Sequence, residues 1–209
     1  MAASATLSRV RMSYEDYERW VDDKTHSEWV DGEVTVFMPA IPHHAEIVTF
    51  LIALLRYVAD LRQAGRVLAA PLEMKLREGG SYREPDILFV LTEHLGQIDN
   101  RRLNGPANLV LEVLSEDDPD RDRVEKYQEY EEAGIPEYWI VEGREGRSGV
   151  QLFALGLDGR YATVEPDADG RLRSLVLDGF WLDPDWLAAD PLPSVVDCLR
   201  QIVPDVIRT

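Results

Sequence analysis

Glu112 stands alone in the run Leu109-Val110-Leu111-Glu112-Val113-Leu114, one carboxylate in a segment otherwise apolar on both faces. Such a run reads as a central strand. An unpaired carboxylate inside it costs several kcal/mol, against a typical total stability of about 5–15 kcal/mol. Glu112 therefore has a partner, reaches the strand's end or is protonated, and a buried arginine is the plainest partner. A second carboxylate, Asp86, follows Pro85 at the head of Ile87-Leu88-Phe89-Val90. Proline is tolerated there because the first N–H of a strand need not join the ladder, although Pro-Asp by itself marks only a turn. Lys126 is four residues from both Asp122 and Tyr130, so the three share one helix face. A surface Asp122–Lys126 pair would contribute about 0.3–0.5 kcal/mol; a lysine turned across the sheet toward the carboxylates would do chemistry instead. Lysine is scarce here (Lys24, Lys75 and Lys126 among 22 basic residues), which gives Lys126 weight. Two carboxylates about 4 Å apart repel by roughly 4 kcal/mol at an effective dielectric of 20. A divalent cation removes that penalty and keeps coordination positions open for water and an anionic group.

The elements that position these residues are legible. Ser13, with Asp16 three residues on, caps a helix through Tyr14, Tyr17 and Val21 that ends near Asp23. Asp31-Gly32 joins His26–Val30 to Glu33–Met38 as a hairpin. Ile47, Leu51, Leu54, Leu55, Val58 and Leu61 repeat at helical spacing and Gly65 closes the helix. Strands are expected at Arg66–Leu76 with a break near Pro71, at Asp86–Val90 and at Asn108–Leu114. Asp118 and Pro119 open the next helix, which Gly134 and Pro136 close. Strands at Glu137–Glu142, Val150–Leu155, Tyr161–Val164 and Arg171–Leu177 follow, with a last helix near Ser194–Ile202. The expected organisation is a flexible tail over 1–12, one α/β domain over 13–190 with its core at about 42–142, and a C-terminal helix and tail over 191–209.

The net charge of −17, from 39 acidic and 22 basic residues, repels a phosphate backbone at long range and argues against a constitutive nucleic-acid coat. A bound metal and local arginines still supply positive charge at one point. Cys198 is the only cysteine, which excludes an intrachain disulfide and suits a reducing cytoplasm. No apolar run reaches the roughly 20 residues that span a bilayer. Asp167-Ala168-Asp169-Gly170 starts like a calcium loop, lacks the later ligands and reads as a hairpin turn. No zinc spacing, serine-nucleophile motif or phosphate-cradling glycine loop is present. Trp20, Trp29, Phe180, Trp181 and Trp186 serve either the core or a homodimer surface.

Taken together, these residues resemble the PD-(D/E)XK nuclease superfamily, and within it the Uma-two family. Glu28-Trp29-Val30-Asp31-Gly32-Glu33 matches its E-x-x-D-G-E hairpin, and Met38-Pro39 with His44 matches the lead into its first core helix. Pro85-Asp86 matches the PD element, and Leu111-Glu112-Val113-Leu114-Ser115 matches the (D/E)XK element with its lysine missing. Asp122, Lys126, Tyr130, Gly134, Ile135, Glu137, Tyr138, Trp139 and Ile140 match the D-x3-K-x3-Y-x3-GI-x-EYWI signature. The resemblance covers about Ser13 to Tyr161.

It implies a restriction-endonuclease-like αβββαβ core with a mixed central sheet, preceded by a helix and hairpin and followed by a β-rich extension. It also implies an endonuclease that hydrolyses phosphodiester bonds of nucleic acid, DNA foremost, with Mg²⁺ or Mn²⁺ on Asp86, Glu112 and Val113. Lys126 stands in for the displaced lysine, and Glu46 on the first core helix is the candidate third acidic group, a solvated carboxylate being equally consistent. His44, Asp122, Tyr130 and Glu84 are supporting candidates; Glu84 departs from the family pattern and adds a negative charge beside Asp86. The competing reading is a non-catalytic binding or assembly module that kept the fold.

Overall fold

A computed structural model describes residues 8–21, 27–36, 42–77, 80–115, 121–144 and 146–206. The chain opens with strand β1 (Ser8–Arg11) and helix α1 (Tyr14–Trp20), whose cap is Ser13 Oγ accepting from Asp16 N at 3.1 Å. β2 (Ser27–Val30) and β3 (Glu33–Val36) form the expected hairpin. Its two turn residues, Asp31 and Gly32, have φ of 47° and 87°, the left-handed pair that a two-residue hairpin needs and that Asp-Gly tolerates. The expected flexible tail is corrected in part: Ser8–Arg11 pairs antiparallel with β3 and forms a sheet edge.

Helix α2 (Pro42–Arg62) buries Ile47, Phe50, Leu51, Leu54, Leu55, Val58 and Ala59. The single interrupted strand expected over Arg66–Leu76 is two strands, β4 (Gly65–Ala69) and β5 (Glu73–Lys75), which enter different sheets. The proline at position 71 supplies no N–H, so the ladder of β4 cannot continue through it. Next come β6 (Tyr82–Arg83), β7 (Ile87–Leu91), a 3₁₀ turn (Thr92–Gln97), β8 (Arg102–Leu103) and β9 (Leu109–Leu114). Between 121 and 132 the chain is a π-helical segment, Arg121–Lys126, continued by α3 (Tyr127–Glu132). A regular α-helix was expected here; the wider turn re-registers the face that carries Lys126. The expected cap at Asp118 and Pro119 lies outside the described residues. β10 (Glu137–Glu142), β11 (Val150–Leu155), β12 (Tyr161–Thr163), β13 (Leu172–Arg173), β14 (Trp181–Leu182) and α4 (Val195–Ile202) complete the fold.

Two six-stranded sheets result, ordered β1-β3-β2-β6-β5-β8 and β12-β11-β10-β9-β7-β4. In the second, β9 and β10 run parallel and the other neighbours antiparallel, so α2-β4-β7-β9-α3-β10 is the expected αβββαβ core. Alternate side chains of β9 go to opposite faces. Leu109, Leu111 and Val113 join the α2 side, whereas Val110 and Leu114 join Tyr130 and Ile135 on the α3 side. A third cluster, Tyr17, Trp29, Val34 and Tyr82, lies under the first sheet.

The C-terminal part differs from expectation in three places. The strand expected over Arg171–Leu177 stops at Arg173, because Ser174 Oγ takes the N–H groups of Val176 and Leu177 and turns the chain. The Asp167 turn is tight, its Oδ1 accepting from the N–H groups of Asp169 and Arg171, but it does not join two mutually paired strands. The last helix forms where expected, as α4, and within the segment set apart over 191–209 its Cys198, Leu199 and Ile202 belong to the main core. Of the aromatics weighed as dimer surface, Trp29, Phe180, Trp181 and Trp186 are at most 8% exposed and only Trp20, at 46%, faces outward.

Candidate active site

Arg83 ends a strand of the first sheet and Ile87 begins a strand of the second, so Glu84-Pro85-Asp86 is the bridge between the sheets. The β7–β9 ladder pairs Ile87 with Leu111; continuing that register by one residue sets Asp86 opposite Glu112. The Asp86 N–H lies 3.5 Å from Glu112 Oε2. Past the end of that ladder the Val113 N–H donates instead to Asp86 Oδ2 at 2.7 Å. On the same strand edge the Val113 carbonyl lies 3.0 Å from His44 Nε2, which is also 3.4 Å from Asp86 Oδ2. The start of α2 thus brings a ring to both groups. Burial works against ionisation of Asp86, but the His44 ring, Lys126 and the Val113 N–H outweigh it and hold the carboxyl below its ordinary range.

Glu112 is 2% exposed, and Oε1 accepts from Tyr130 Oη at 2.8 Å and lies 2.8 Å from Lys126 Nζ. Where an arginine was expected, lysine and tyrosine therefore meet the buried carboxylate. The predicted common face of Lys126 and Tyr130 is present; the Asp122 side chain lies outside the described residues. Burial and the Glu112 charge raise the Tyr130 phenol well above its ordinary range, so it stays a donor. Its ring meets Tyr138 edge-on at 5.0 Å, which fixes the hydroxyl's direction. Tyr130→Phe is expected to lower the stability of the metal-free protein by about 1.5–3 kcal/mol, the usual value of a hydrogen bond to a charged group. Urea denaturation reads this, and an unchanged midpoint would mean that water replaces the phenol.

Glu84 is buried, and desolvation followed by the charge of Glu73 pushes its carboxyl up to about 8, so it holds a proton at neutral pH. Glu46 sits exposed near the start of α2, and among the described residues no hydrogen bond or ion pair joins it to Asp86 or Glu112. Arg102 donates to Glu18 at 2.8 Å and lies over the Tyr14 and Tyr82 rings.

Three participants escaped the sequence reading. Glu28, quoted only as a hairpin motif residue, lies 3.7 Å from Lys126 Nζ through Oε1 and accepts from Arg83 Nη1 at 2.7 Å through Oε2. Arg83 forks onto both Glu129 oxygens at 2.8 Å each. The third is Gly143, which lets β10 pass close to β9: a Cβ there would come within 2.8 Å of the Leu114 carbonyl. Glutamate, arginine and glycine types carry no local signal of this convergence.

A family model, Uma2, described as "Putative restriction endonuclease", matches residues 14–185, most of the chain. The chain belongs to the Uma2 family. A solved structure from Anabaena variabilis, described as a "putative nuclease belonging to DUF820", superposes with a TM-score of 0.61 at 15% identity, covering 92% of this chain and 99% of that one. At that identity the likeness is one of fold. No curated protein matches.

The donor set of this Uma2 chain fits a hard dication. Glu28, Glu129, Glu112 and Asp86 converge on Lys126 and Arg83, with His44 against Asp86, so carboxylate oxygens dominate the donors that a cation would meet there. Among the described residues no group of three His, Cys, Asp or Glu is gathered. One or two carboxylates suffice for Mg²⁺, which keeps several of its waters.

Proposed function

We propose that this protein is a divalent-metal-dependent endonuclease hydrolysing phosphodiester bonds of nucleic acid, DNA foremost. The observation that carries the proposal is the meeting of Asp86, whose Oδ2 accepts from the Val113 N–H, with Glu112, whose Oε1 lies 2.8 Å from Lys126 Nζ. Asp86, Glu112 and the Val113 carbonyl would hold Mg²⁺ or Mn²⁺, which when bound supplies a Lewis acid and lowers the pKa of water. Lys126 orients the attacking water and stabilises negative charge building on phosphorus. Tyr130 holds Glu112, and His44 aligns Asp86 with the Val113 carbonyl. Glu46 is retained as a third acidic group reached only with substrate in place. Among the described residues no helix is long and apolar enough to cross a membrane. A cytoplasmic location and a homodimer belong to this reading as proposals, the second now resting on Trp20.

The net charge of −17 favours one rival, a binding or assembly module without catalysis. Mn²⁺ titration of metal-free protein by calorimetry, beside Asp86→Ala and Glu112→Ala, separates the two because it needs no guess about substrate. Saturable binding lost in both variants is expected. Three indistinguishable titrations would remove the shared metal site and favour the module.

A further inference from the structure

Glu28 comes from the hairpin of the first sheet, whereas Glu112 and Asp86 belong to the second. We propose that Glu28 is the positioning residue for Lys126, so that the N-terminal hairpin is a working part of the site. Its consequence for rate rests on the nuclease reading; its geometry does not.

The Glu28 carboxylate is 2% exposed and is drawn from three directions. Arg83 Nη1 donates to Oε2 at 2.7 Å, the Glu84 N–H donates to Oε1 at 3.1 Å, and Lys126 Nζ lies 3.7 Å from Oε1. Arg83 itself is 3% exposed and binds Glu129, three residues beyond Lys126 and on the same side of the helix. The segment bearing Lys126 is therefore tied to the hairpin twice, directly through Glu28 and through Arg83 to Glu129.

Such a tie is needed because a lysine stem has many rotamers and its ammonium is a point charge without preferred direction. With Glu112 as its only anion, the amine would follow wherever that carboxylate went. Glu112 is also a proposed metal donor, whereas Glu28, held by Arg83 and the Glu84 N–H, is a carboxylate whose place does not depend on the metal. The Glu28–Lys126 separation is too long for a hydrogen bond, which suits a role in placing charge. Neutralising Arg83 alone would not require an oxygen facing Lys126.

The test exploits the three lysines of the chain. Full-length protein labelled with ¹³C-lysine gives three Cε signals, and Lys126→Met identifies that of Lys126. The Lys126 signal is expected to move in Glu28→Gln and to move less in Glu28→Asp, which keeps the charge but withdraws it by one methylene, while the Lys75 signal stays in place. Mn²⁺-dependent cleavage of labelled duplex DNA is expected to lose about tenfold or more in kcat in Glu28→Gln with KM unchanged. The double variant Glu28→Gln/Lys126→Met should be no slower than Lys126→Met alone, since residues acting as a unit are non-additive. A Lys126 signal indifferent to Glu28, or rate losses that multiply, overturns the proposal. If Glu28→Gln does not fold, Glu28→Asp decides by the same signal. Wild type that cleaves no DNA yet shows the Glu28-dependent signal overturns the nuclease reading and leaves the positioning role standing.

Discussion

Glu112→Ala and Lys126→Ala are each expected to lose metal-dependent DNA cleavage by on the order of 10³-fold while remaining folded, the magnitude of removing one preorganised charge-stabilising group or more. The two side chains share a 2.8 Å contact at Glu112 Oε1, so their losses should not multiply in the double variant. Folding needs separate control, because removing one partner of a buried ion pair costs about 3–5 kcal/mol. Lys126→Ala leaves Tyr130 on Glu112, and Glu112→Ala leaves Glu28 near Lys126, which limits the loss in both. Thermal melting before each assay establishes the folded fraction. Cleavage per folded molecule equal to wild type in both variants would sink the assignment of these two residues.

The second large effect is on stability and lies away from the site. Glu137 is fully buried, and its carboxylate accepts from Trp139 Nε1, Ser174 Oγ and the N–H groups of Leu175 and Val176. Burial raises its pKa, and those four donors oppose the rise. They are also what fastens the turn after β13 to β10, the outer neighbour of β9. Glu137→Ala strands three donors at once, those of Trp139, Ser174 and Leu175, each costing about 1–3 kcal/mol if it stays dry, while the Val176 N–H keeps Ser174 Oγ. Water will enter part of the space, so a net loss of about 3–5 kcal/mol is expected. For a chain of this size that is on the order of 10 °C in Tm. Hydrogen exchange should speed first at Leu175, Val176 and Leu177; uniform acceleration across all strands would instead mean that Glu137 supports the fold as a whole.

Much of the site is written locally. A carboxylate in an apolar strand, a Pro-Asp at a strand head and a lysine four residues from a tyrosine are visible because strand and helix periodicities convert spacing into facing. The same holds for the Asp31-Gly32 hairpin, for Ser13 as a cap and for the αβββαβ order. Where expectation failed, a long-range competitor had won. The strand expected through Leu177 lost its ladder to Ser174 and to Glu137, a carboxylate 37 residues earlier in the chain. Of the aromatics weighed as dimer surface, all but Trp20 satisfied their area inside the core.

The sequence by itself determined which side chains carry charge into apolar segments and on which face of its own element each one lies. Only the tertiary structure decided which of those charges meet. Glu28 and Arg83 are 55 residues apart, and their ion pair exists because β2 and β6 become neighbours in one sheet. Lys126 reaches both Glu28 and Glu112 because the bridge Glu84-Pro85-Asp86 lays one sheet's end against the other's. Periodicity reports burial residue by residue. A site assembled from the ends of separate elements depends on register and crossover, which only the packed chain sets.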